Sequence, residues 1–219
     1  MIIFVNSIHL FYEKCGEGSP LILLHGNGES HRIFDRAIPI LSRHFTVYAL
    51  DTRGHGESDP VSEFHYSDMA EDVKCFIEAL SLKKPILYGF SDGGIVGLLV
   101  ASNYPGLLSK LIVSGANTVP EGLRCGWLRL FRLAYRITRD PKIGMMLTEP
   151  NISKEDLSRI EIPSVILAGS RDLIQEEHTR SIAEAIRNSS LFVLKGENHM
   201  SYVVHSEKIA KLILENTDQ

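Results

Sequence analysis

The chain has 219 residues, of which 44% are hydrophobic and 23% are charged, and its formal net charge is −4. A chain of this length folds around its own core without a disulfide or a structural metal, and its slight acidity argues against a nucleic-acid partner, which usually requires a basic surface. The three cysteines, Cys15, Cys75 and Cys125, form no Cys-x-x-Cys pair, so they indicate neither a zinc site nor a disulfide framework.

The N-terminal residues 1–5 are apolar, but they lack the basic lead and the cleavage site of a signal peptide. No later apolar run approaches the roughly 20 residues of a membrane span. We therefore expect a cytoplasmic protein without a membrane span. Residues 2–5 and 8–14 flank the tight-turn pair Asn6-Ser7 and predict an antiparallel hairpin.

Short apolar runs that end in glycine-rich or acidic turns follow the hairpin. Such runs are typical of strands that are buried on both faces of a mostly parallel sheet. They lie at residues 21–24, 46–50, 85–88, 110–113, 164–168 and 191–194.

Helical patterns separate these runs. Apolar residues at helical spacing predict one helix near residues 69–80, with Ser67 or Asp68 as its N-cap. Three more helices are predicted, one directly after Ser91, one at residues 176–188 and one at residues 201–216. Because strands and helices alternate, we predict an α/β fold with a mostly parallel sheet of about eight strands and helices on both faces.

One stretch interrupts the alternation. Residues 117–161 contain no strand candidate, but a helical run covers residues 126–138. The stretch is too long for a simple connection, and its many apolar residues favour an ordered structure. We predict a core domain of residues 1–116 and 162–219, with residues 117–161 inserted as a short helical lid.

Gly89-Phe90-Ser91-Asp92-Gly93 has the Gly-x-Ser-x-Gly pattern of a nucleophile elbow. It follows a predicted strand and precedes a predicted helix, as the elbow requires. The serine of such a turn has a strained backbone, larger side chains at the glycines would clash, and free N–H groups at the helix start lie beside the hydroxyl. We predict Ser91 as a nucleophile, with a plain glycine-rich turn as the alternative.

Asp172 and His199 follow the last two predicted strands. The carboxyl ends of parallel strands meet at one edge of a sheet, so both side chains are expected near Ser91. The order Ser, Asp, His suits a triad with His199 as general base and Asp172 as its orienting acid. For each residue considered alone there is an alternative, a structural histidine for His199 and a helix N-cap for Asp172. The rival acid position is Asn117, which carries no charge to stabilise an imidazolium.

His25-Gly26-Asn27-Gly28 follows the strand predicted at residues 21–24. In serine hydrolases built on such a sheet, the oxyanion hole takes one backbone N–H from this loop and one from the residue after the nucleophile. We assign the N–H groups of Asn27 and Asp92 to this role, with a simple glycine turn as the alternative. His25 is interpreted as a structural hydrogen-bonding residue.

Together these motifs resemble those of the α/β-hydrolase superfamily along essentially the whole chain. The resemblance also includes the turn Asp51-Thr52-Arg53-Gly54-His55-Gly56-Glu57-Ser58, which is architectural in that family. It implies an α/β-hydrolase fold and implies no metal or cofactor, and it suggests that Arg53, His55 and Ser58 brace the loop beneath the site. Dehalogenases and epoxide hydrolases of this fold require an aspartate at the elbow, so Ser91 argues against both.

Residues 89–95, Tyr104-Pro105 and residues 115–117 are similar to the biphenyl-hydrolase-like group, which includes valacyclovir hydrolase, and to related carboxylesterases. In that group the acidic residue after the nucleophile is taken to hold the amino group of an amino-acid ester. Asp92 matches this position. The alternative is that Asp92 caps its helix and interacts with the positive helix end.

The predicted lid carries an excess of basic residues. This excess could attract anionic substrates or an acidic partner, or it is the solvated face of an amphipathic helix that covers the pocket. Phe90, Trp127, Phe131 and Met145 are candidate pocket walls, although core packing explains them equally well. The basic residues are Arg124, Arg129, Arg132, Arg136, Arg139 and Lys142, against Glu121 and Asp140.

The sequence therefore predicts a serine hydrolase that cleaves a small carboxylic ester, or a related acyl bond, through an acyl-enzyme on Ser91. The first alternative is an aminoacyl ester hydrolase or aminopeptidase in which Asp92 binds the substrate amine. Amide hydrolysis, cleavage of a carbon–carbon bond beside a carbonyl, and perhydrolysis use the same residues. A non-catalytic ligand-binding scaffold is a different class, but such scaffolds often lack a triad member and none is missing here. The expected partner is a small ester or amide, and no oligomeric state is predicted.

Overall fold

A computed structural model describes residues 1–217 of the chain, and these residues form one sheet with helices around it. The strands are β1 (Ile2–Val5), β2 (Ile8–Cys15), β3 (Ser19–Leu24), β4 (Phe45–Leu50), β5 (Ile86–Phe90), β6 (Lys110–Ser114), β7 (Ser164–Arg171) and β8 (Ser189–Asn198). Their order across the sheet is β1-β2-β4-β3-β5-β6-β7-β8. The pairs β1–β2 and β2–β4 are antiparallel, and every pair from β4 to β8 is parallel. The predicted sheet is confirmed.

The described residues also form α-helices and two short 3-10 turns. The helices are α1 (Ile38–Leu41), α2 (Tyr66–Ala79), α3 (Asp92–Asn103), α4 (Cys125–Thr138), α5 (Pro141–Thr148), α6 (Lys154–Ser158), α7 (Glu176–Ala185) and α8 (Lys208–Glu215), and the 3-10 turns are His31–Phe34 and Pro120–Gly122. Within residues 1–217, no helix is long and apolar enough to cross a membrane.

Strand β3 shows that the sheet is covered on both faces. Ile22 and Leu24 pack in a core with residues of α2 and α3, whereas Leu21 and Leu23 pack in a second core with residues of α1 and α8. All four side chains are fully buried, and each such burial stabilises the fold by about 1.5–3 kcal/mol. Successive side chains of a strand point to opposite faces, so a continuous apolar run requires helices on both sides.

The order of the strands determines where a site can form. Strand β4, which follows β3 in the chain, lies on one side of β3, and strands β5 and β6 lie on its other side. The connections that leave the carboxyl ends of β3 and β5 therefore diverge, and a crevice opens between them. Ligands of open α/β sheets bind at such a point.

The predicted N-cap of α2 is wrong. The helix begins at Tyr66, and His65, whose backbone is extended, takes the N-cap position. Ser67 and Asp68 therefore lie inside the first turn. Asp68 instead forms an ion pair with Arg53 at 3.1 Å, a tertiary contact that the local sequence does not reveal.

Two other helix predictions are too long. Helix α7 ends before Ile186, which has an extended backbone and is buried in the core. The helix predicted at residues 201–216 covers only α8, because residues 199–205 form turns and His205 has a φ of +50°. A left-handed backbone at His205 cannot continue a right-handed helix.

Residues 117–161 divide into two parts that pack differently. The later part contributes Met145, Ile152, Leu157 and Ile160 to the same core as α2 and α3. Helix α4 buries only Leu128 and packs in a small separate cluster. The division into core and lid stays a prediction, and residues 218 and 219 of the predicted core lie outside the described residues.

Candidate active site

Ser91 lies on the sharp turn between β5 and α3. Its backbone has φ of +52° and ψ of −116°, a region that residues other than glycine rarely adopt. A β-carbon at Gly89 would overlap the Gly93 carbonyl, and one at Gly93 would overlap the Leu24 carbonyl. The Ser91 N–H donates to the Ser114 carbonyl at 2.8 Å. The neighbouring strands therefore hold the strained turn in place.

A hydrogen-bonded row joins Ser91, His199 and Asp172. His199 Nε2 lies 3.1 Å from Ser91 Oγ, and His199 Nδ1 lies 2.7 Å from Asp172 Oδ1. An ionised carboxylate only accepts hydrogen bonds, so Nδ1 carries the proton and Nε2 is free to accept from the serine hydroxyl. The three residues predicted to act together are thus brought together at the carboxyl edge of the sheet.

The carboxylate of Asp172 is buried and accepts hydrogen bonds from two backbone N–H groups. The N–H of Ile174 donates to Oδ1 at 3.1 Å and the N–H of Gly169 donates to Oδ2 at 3.2 Å. Burial raises the pKa of Asp172, but the hydrogen bond and charge of His199, together with these N–H groups, bring the pKa below its usual value. Asp172 does not cap α7, whose N-cap is Gln175. Its carboxylate therefore stays ionised beside the imidazole.

Two further residues restrict the imidazole of His199. The ring centroid of Phe90 lies 5.0 Å from that of the imidazole. Gly115 follows β6 with a φ of +62°, and a β-carbon there would lie 2.7 Å from His199 Cε1. Gly115 was not predicted as a site residue, although it follows a strand directly and belongs to residues 115–117, one of the segments that carry the family resemblance.

The backbone N–H groups predicted for the oxyanion hole lie on either side of the crevice. Asn27 follows β3 and Asp92 begins α3, and neither N–H donates a hydrogen bond to any described residue. Neighbouring N–H groups are already used, since Gly26 donates to Glu29 and Gly93 to the His25 carbonyl. The two predicted groups are therefore free to bind an anionic oxygen.

The side chain of Asp92 is buried and bridges two elements. The Tyr66 hydroxyl donates to Oδ1 at 2.9 Å, and Asn27 Nδ2 donates to Oδ2 at 2.9 Å. Burial raises the pKa of Asp92 to about 6, although Asn27, Tyr66 and the charge of His199 lower it. The carboxylate also lies in the first turn of α3, near the positive end of the helix.

A cavity of about 350 Å³ opens beside Ser91 and His199, a size suited to a small organic molecule. No lysine or arginine among the described residues lines it, and its acidic lining residues are Glu29, Asp92 and Asp140. The apolar lining consists of Phe90, Leu123, Phe131, Ile143, Met146, Leu173, Ile174 and Met200.

Two of the predicted pocket walls do not line this cavity. Trp127 lies on the exposed side of α4, and Met145 is buried in the core that contains α2 and α3. Ile143 and Met146, one residue on either side of the pair Gly144-Met145, line the cavity instead. Periodicity identifies apolar positions on a helix, but packing against the rest of the protein decides which of them face the cavity.

Glu29 is a lining residue that the sequence analysis missed. Its carboxylate accepts the N–H of Gly26 at 3.0 Å. Burial raises the pKa of Glu29, and this hydrogen bond only partly offsets the effect. Its only sequence signal is that it belongs to the same loop as Asn27.

His25 is a structural residue, as its position suggested. Its Nδ1 donates to the Gly26 carbonyl at 2.7 Å, and its Nε2 accepts the N–H of Thr52 at 3.1 Å. Burial lowers the pKa of His25 to about 4. The neutral imidazole therefore joins the loop after β3 to the turn after β4, and both nitrogens are used.

The turn at residues 51–58 is held by its own polar side chains. Arg53 forms two hydrogen bonds of 2.7 Å with Asp72 of α2, and Ser58 Oγ donates to the Asp51 carbonyl at 2.6 Å. His55 Nδ1 lies 2.9 Å from the Arg53 carbonyl oxygen. None of these side chains lines the cavity, so the turn supports the site from outside.

Comparisons with known proteins agree with this architecture. A family model described as alpha/beta hydrolase fold matches residues 19–132. The human protein serine hydrolase BPHL is 28% identical over 95% of this chain and 82% of its own, and the AB hydrolase superfamily protein YisY of Bacillus subtilis is 28% identical over 94% of each chain. The predicted resemblance is confirmed.

Solved structures show the same fold over the whole chain. An esterase from Exiguobacterium antarcticum superposes with a TM-score of 0.86 at 21% identity, covering 100% of this chain and 99% of that one. A meta-cleavage product hydrolase (CumD) superposes with a TM-score of 0.82 at 22% identity, covering 100% and 97%. At these identities the likeness concerns the fold alone.

Proposed function

We propose, from the premise that this chain belongs to the α/β-hydrolase fold family, that it is a serine hydrolase that cleaves small carboxylic esters through an acyl-enzyme on Ser91. The observation that carries the proposal is the hydrogen-bonded row from Ser91 through His199 to Asp172, beside two free N–H groups. The fold alone would not support it, because one fold hosts many functions.

In the first half of the proposed reaction, Ser91 Oγ attacks the ester carbonyl carbon while His199 Nε2 takes the hydroxyl proton. Asp172 stabilises the imidazolium that forms. The N–H groups of Asn27 and Asp92 bind the tetrahedral oxyanion, and each such donor typically stabilises the transition state by about 3 kcal/mol. The carbon–oxygen bond then breaks, and the imidazolium gives its proton to the leaving alcohol.

In the second half, water attacks the acyl-enzyme carbonyl and His199 takes a proton from the water. The bond to Ser91 Oγ breaks, the carboxylic acid leaves, and the serine hydroxyl regains its proton. The cavity of about 350 Å³ favours small acyl and alcohol groups.

The proposal is tested by hydrolysis of nitrophenyl esters of graded acyl length. We expect the parent to prefer short acyl chains and Ser91→Ala to lose about 10⁴- to 10⁶-fold in kcat. Ser109→Ala is the matched control, because Ser109 is exposed and lies just before β6 at the opposite edge of the sheet. A Ser91→Ala variant that keeps the parent rate would show that Ser91 is not the nucleophile.

The charge of the cavity favours a second candidate, an aminoacyl ester hydrolase. Glu29, Asp92 and Asp140 line the cavity, and no lysine or arginine of residues 1–217 does so. The arginines of α4, which suggested anionic substrates, are exposed to solvent instead. A substrate ammonium group would therefore meet carboxylates beside Ser91.

Matched esters that differ only in an α-amino group test this candidate. A charged hydrogen bond is typically worth about 1.5–3 kcal/mol, so we expect kcat/KM to favour the amino ester by about 10- to 100-fold. The preference should fall in Asp92→Asn and also below about pH 6, where Asp92 gains a proton. Equal kcat/KM for the two esters would contradict the aminoacyl ester hydrolase and favour a hydrolase of simple esters.

A further inference from the structure

The outer side of α4 carries a row of large apolar side chains that are exposed to solvent. Trp127 is 45% exposed, Leu130 50%, Leu133 54% and Ile137 75%. Spacings of three and four residues place them on one stripe of the helix. Single exposed apolar residues are ordinary, but a contiguous row marks an interaction surface.

A row of arginines runs along the edge of this stripe. No acidic residue occurs from Arg124 to Arg139, although the chain as a whole has a net charge of −4. The arginines of α4 and its caps are all exposed, and no ion pair among residues 1–217 includes any of them. They are Arg124, Arg129, Arg132, Arg136 and Arg139.

Four of the eight arginines elsewhere in the chain form an ion pair among residues 1–217. Arg32 pairs with a carboxylate at 3.1 Å, Arg53 at 2.7 Å, Arg159 at 2.5 Å and Arg180 at 2.6 Å. On α4 the same residue type has no such partner within the described chain. The row therefore presents uncompensated positive charge next to uncovered apolar surface.

We propose that the outer face of α4 docks the protein onto an anionic lipid surface. An amphipathic helix with an apolar stripe and flanking arginines lies in the plane of a membrane interface, with its apolar side chains in the acyl boundary and its cations at the headgroups. Helix α4 has 14 residues and is about 21 Å long, so its whole length can lie on such a surface.

Charge argues against a second copy of the chain as the occupant. A two-fold symmetric contact places the same patch on both sides. The five arginines of one α4 would then face the same five of the other. An acidic polypeptide satisfies the charge, but a flat lipid interface also covers an apolar row that extends from Trp127 to Ile137.

The docking face lies on the same helix as a wall of the cavity. Phe131 on the inner side of α4 lines the cavity, and the inner side also packs through Leu128 against Leu123 and Ile174. Docking would therefore place the cavity next to the lipid surface. The docking itself does not depend on the chemistry of Ser91.

Trp127 provides a direct readout, because it is the chain's single tryptophan. We expect vesicles of phosphatidylcholine containing phosphatidylserine to shift its emission to shorter wavelength, and we expect the protein to sediment together with these vesicles. High ionic strength should weaken binding, since it screens the arginines. Vesicles of phosphatidylcholine alone should do neither, and Ser91→Ala should bind as the parent does.

The double variant Arg129→Gln/Arg136→Gln tests the charge. Each basic residue near an anionic surface strengthens binding about fivefold, so we expect binding about 25-fold weaker. The matched control is Arg43→Gln/Arg187→Gln, which removes two exposed arginines that form no ion pair among residues 1–217. They lie just before β4 and β8, at the opposite edge of the sheet. The control should bind like the parent, and both variants should unfold at the parent temperature.

Several results would overturn the proposal. They are an unchanged Trp127 emission with both vesicles, equal binding to neutral vesicles, or undiminished binding of the double variant. An equal emission shift with poly-glutamate would point to an acidic polypeptide instead. A dimer that forms without lipid and is lost in Leu133→Asn would point to a second copy.

Discussion

The two walls of the cavity differ in how firmly their side chains are placed. At the carboxyl edge of the sheet, Ser91, Asp172 and His199 end or follow strands, and hydrogen bonds to neighbouring loops fix them. The opposite wall comes from α4 and α5, and each of these helices buries a single side chain, Leu128 in α4 and Met145 in α5. A buried residue with several partners has one position available, whereas a helix resting on a surface can present different residues. Substitutions at the edge should therefore have larger effects than those on the helices.

Asp172→Asn should have a large effect although the serine and the histidine both stay in place. The amide cannot hold the imidazole in the required tautomer or stabilise its charge, so we expect kcat to fall about 10⁴-fold. The control is Asn117→Ala, which removes the rival acid position and one hydrogen bond to the Val119 carbonyl. Comparable losses in the two variants would contradict the role assigned to Asp172.

Asp92→Asn should change how stability depends on pH. The folded state raises the pKa of Asp92 to about 6, so it binds this proton more tightly than the unfolded chain, and the parent loses stability as pH rises through that value. The variant has no titrating group at this position, so the parent should lose about 2 kcal/mol of stability relative to it between about pH 4 and about pH 7. Urea unfolding of both proteins across this range measures the difference. A constant difference would contradict the burial of a charge at this position.

Gly115→Ala should separate backbone strain from displacement of the imidazole. Gly115 and Gly106 both have positive φ, of +62° and +82°, but a β-carbon at Gly106 meets open space whereas one at Gly115 meets His199. Both variants have the same type of strain, and only Gly115→Ala moves the ring. We expect kcat to fall about 100-fold in that variant alone. Equal kcat in the two variants would show that the ring is not confined there.

Substitutions on the helical wall should have the smallest effect. Ile143→Ala and Met146→Ala remove apolar lining, so we expect KM for a fitting ester to rise about 10-fold with little change in kcat. Trp127→Ala is the matched control, since the side chain lies outside the cavity. A rise in KM for Trp127→Ala instead would mean that α4 rotates about its axis when substrate binds and brings Trp127 to the cavity.

The same difference explains what the sequence could predict. Strand runs and the glycines around Ser91 are local signals, and parallel strands necessarily bring the residues after them to one edge. The placement of Asp172 and His199 near Ser91 followed from this geometry. Gly115 and Glu29 were missed because their roles depend on distances between loops.

The helical wall was predicted less well for a physical reason. Helix α4 has apolar residues on two sides, so periodicity does not distinguish Phe131, which lines the cavity, from Trp127, which faces solvent. The prediction of Met145 failed similarly, since the side chain packs in the core while Met146 lines the cavity. The predicted end of α7 was wrong because Ile186 has an extended backbone and is buried in the core, a tertiary contact that the local sequence does not reveal.

The most direct test is to find which atom of the folded protein reacts with a fluorophosphonate. Phosphonylation requires an activated hydroxyl beside an oxyanion hole, so peptide mapping by mass spectrometry identifies the nucleophile without knowledge of the natural substrate. We expect a single adduct on Ser91 that disappears in His199→Ala. An adduct on another serine, or none in a protein that is folded, would contradict the proposed role of Ser91.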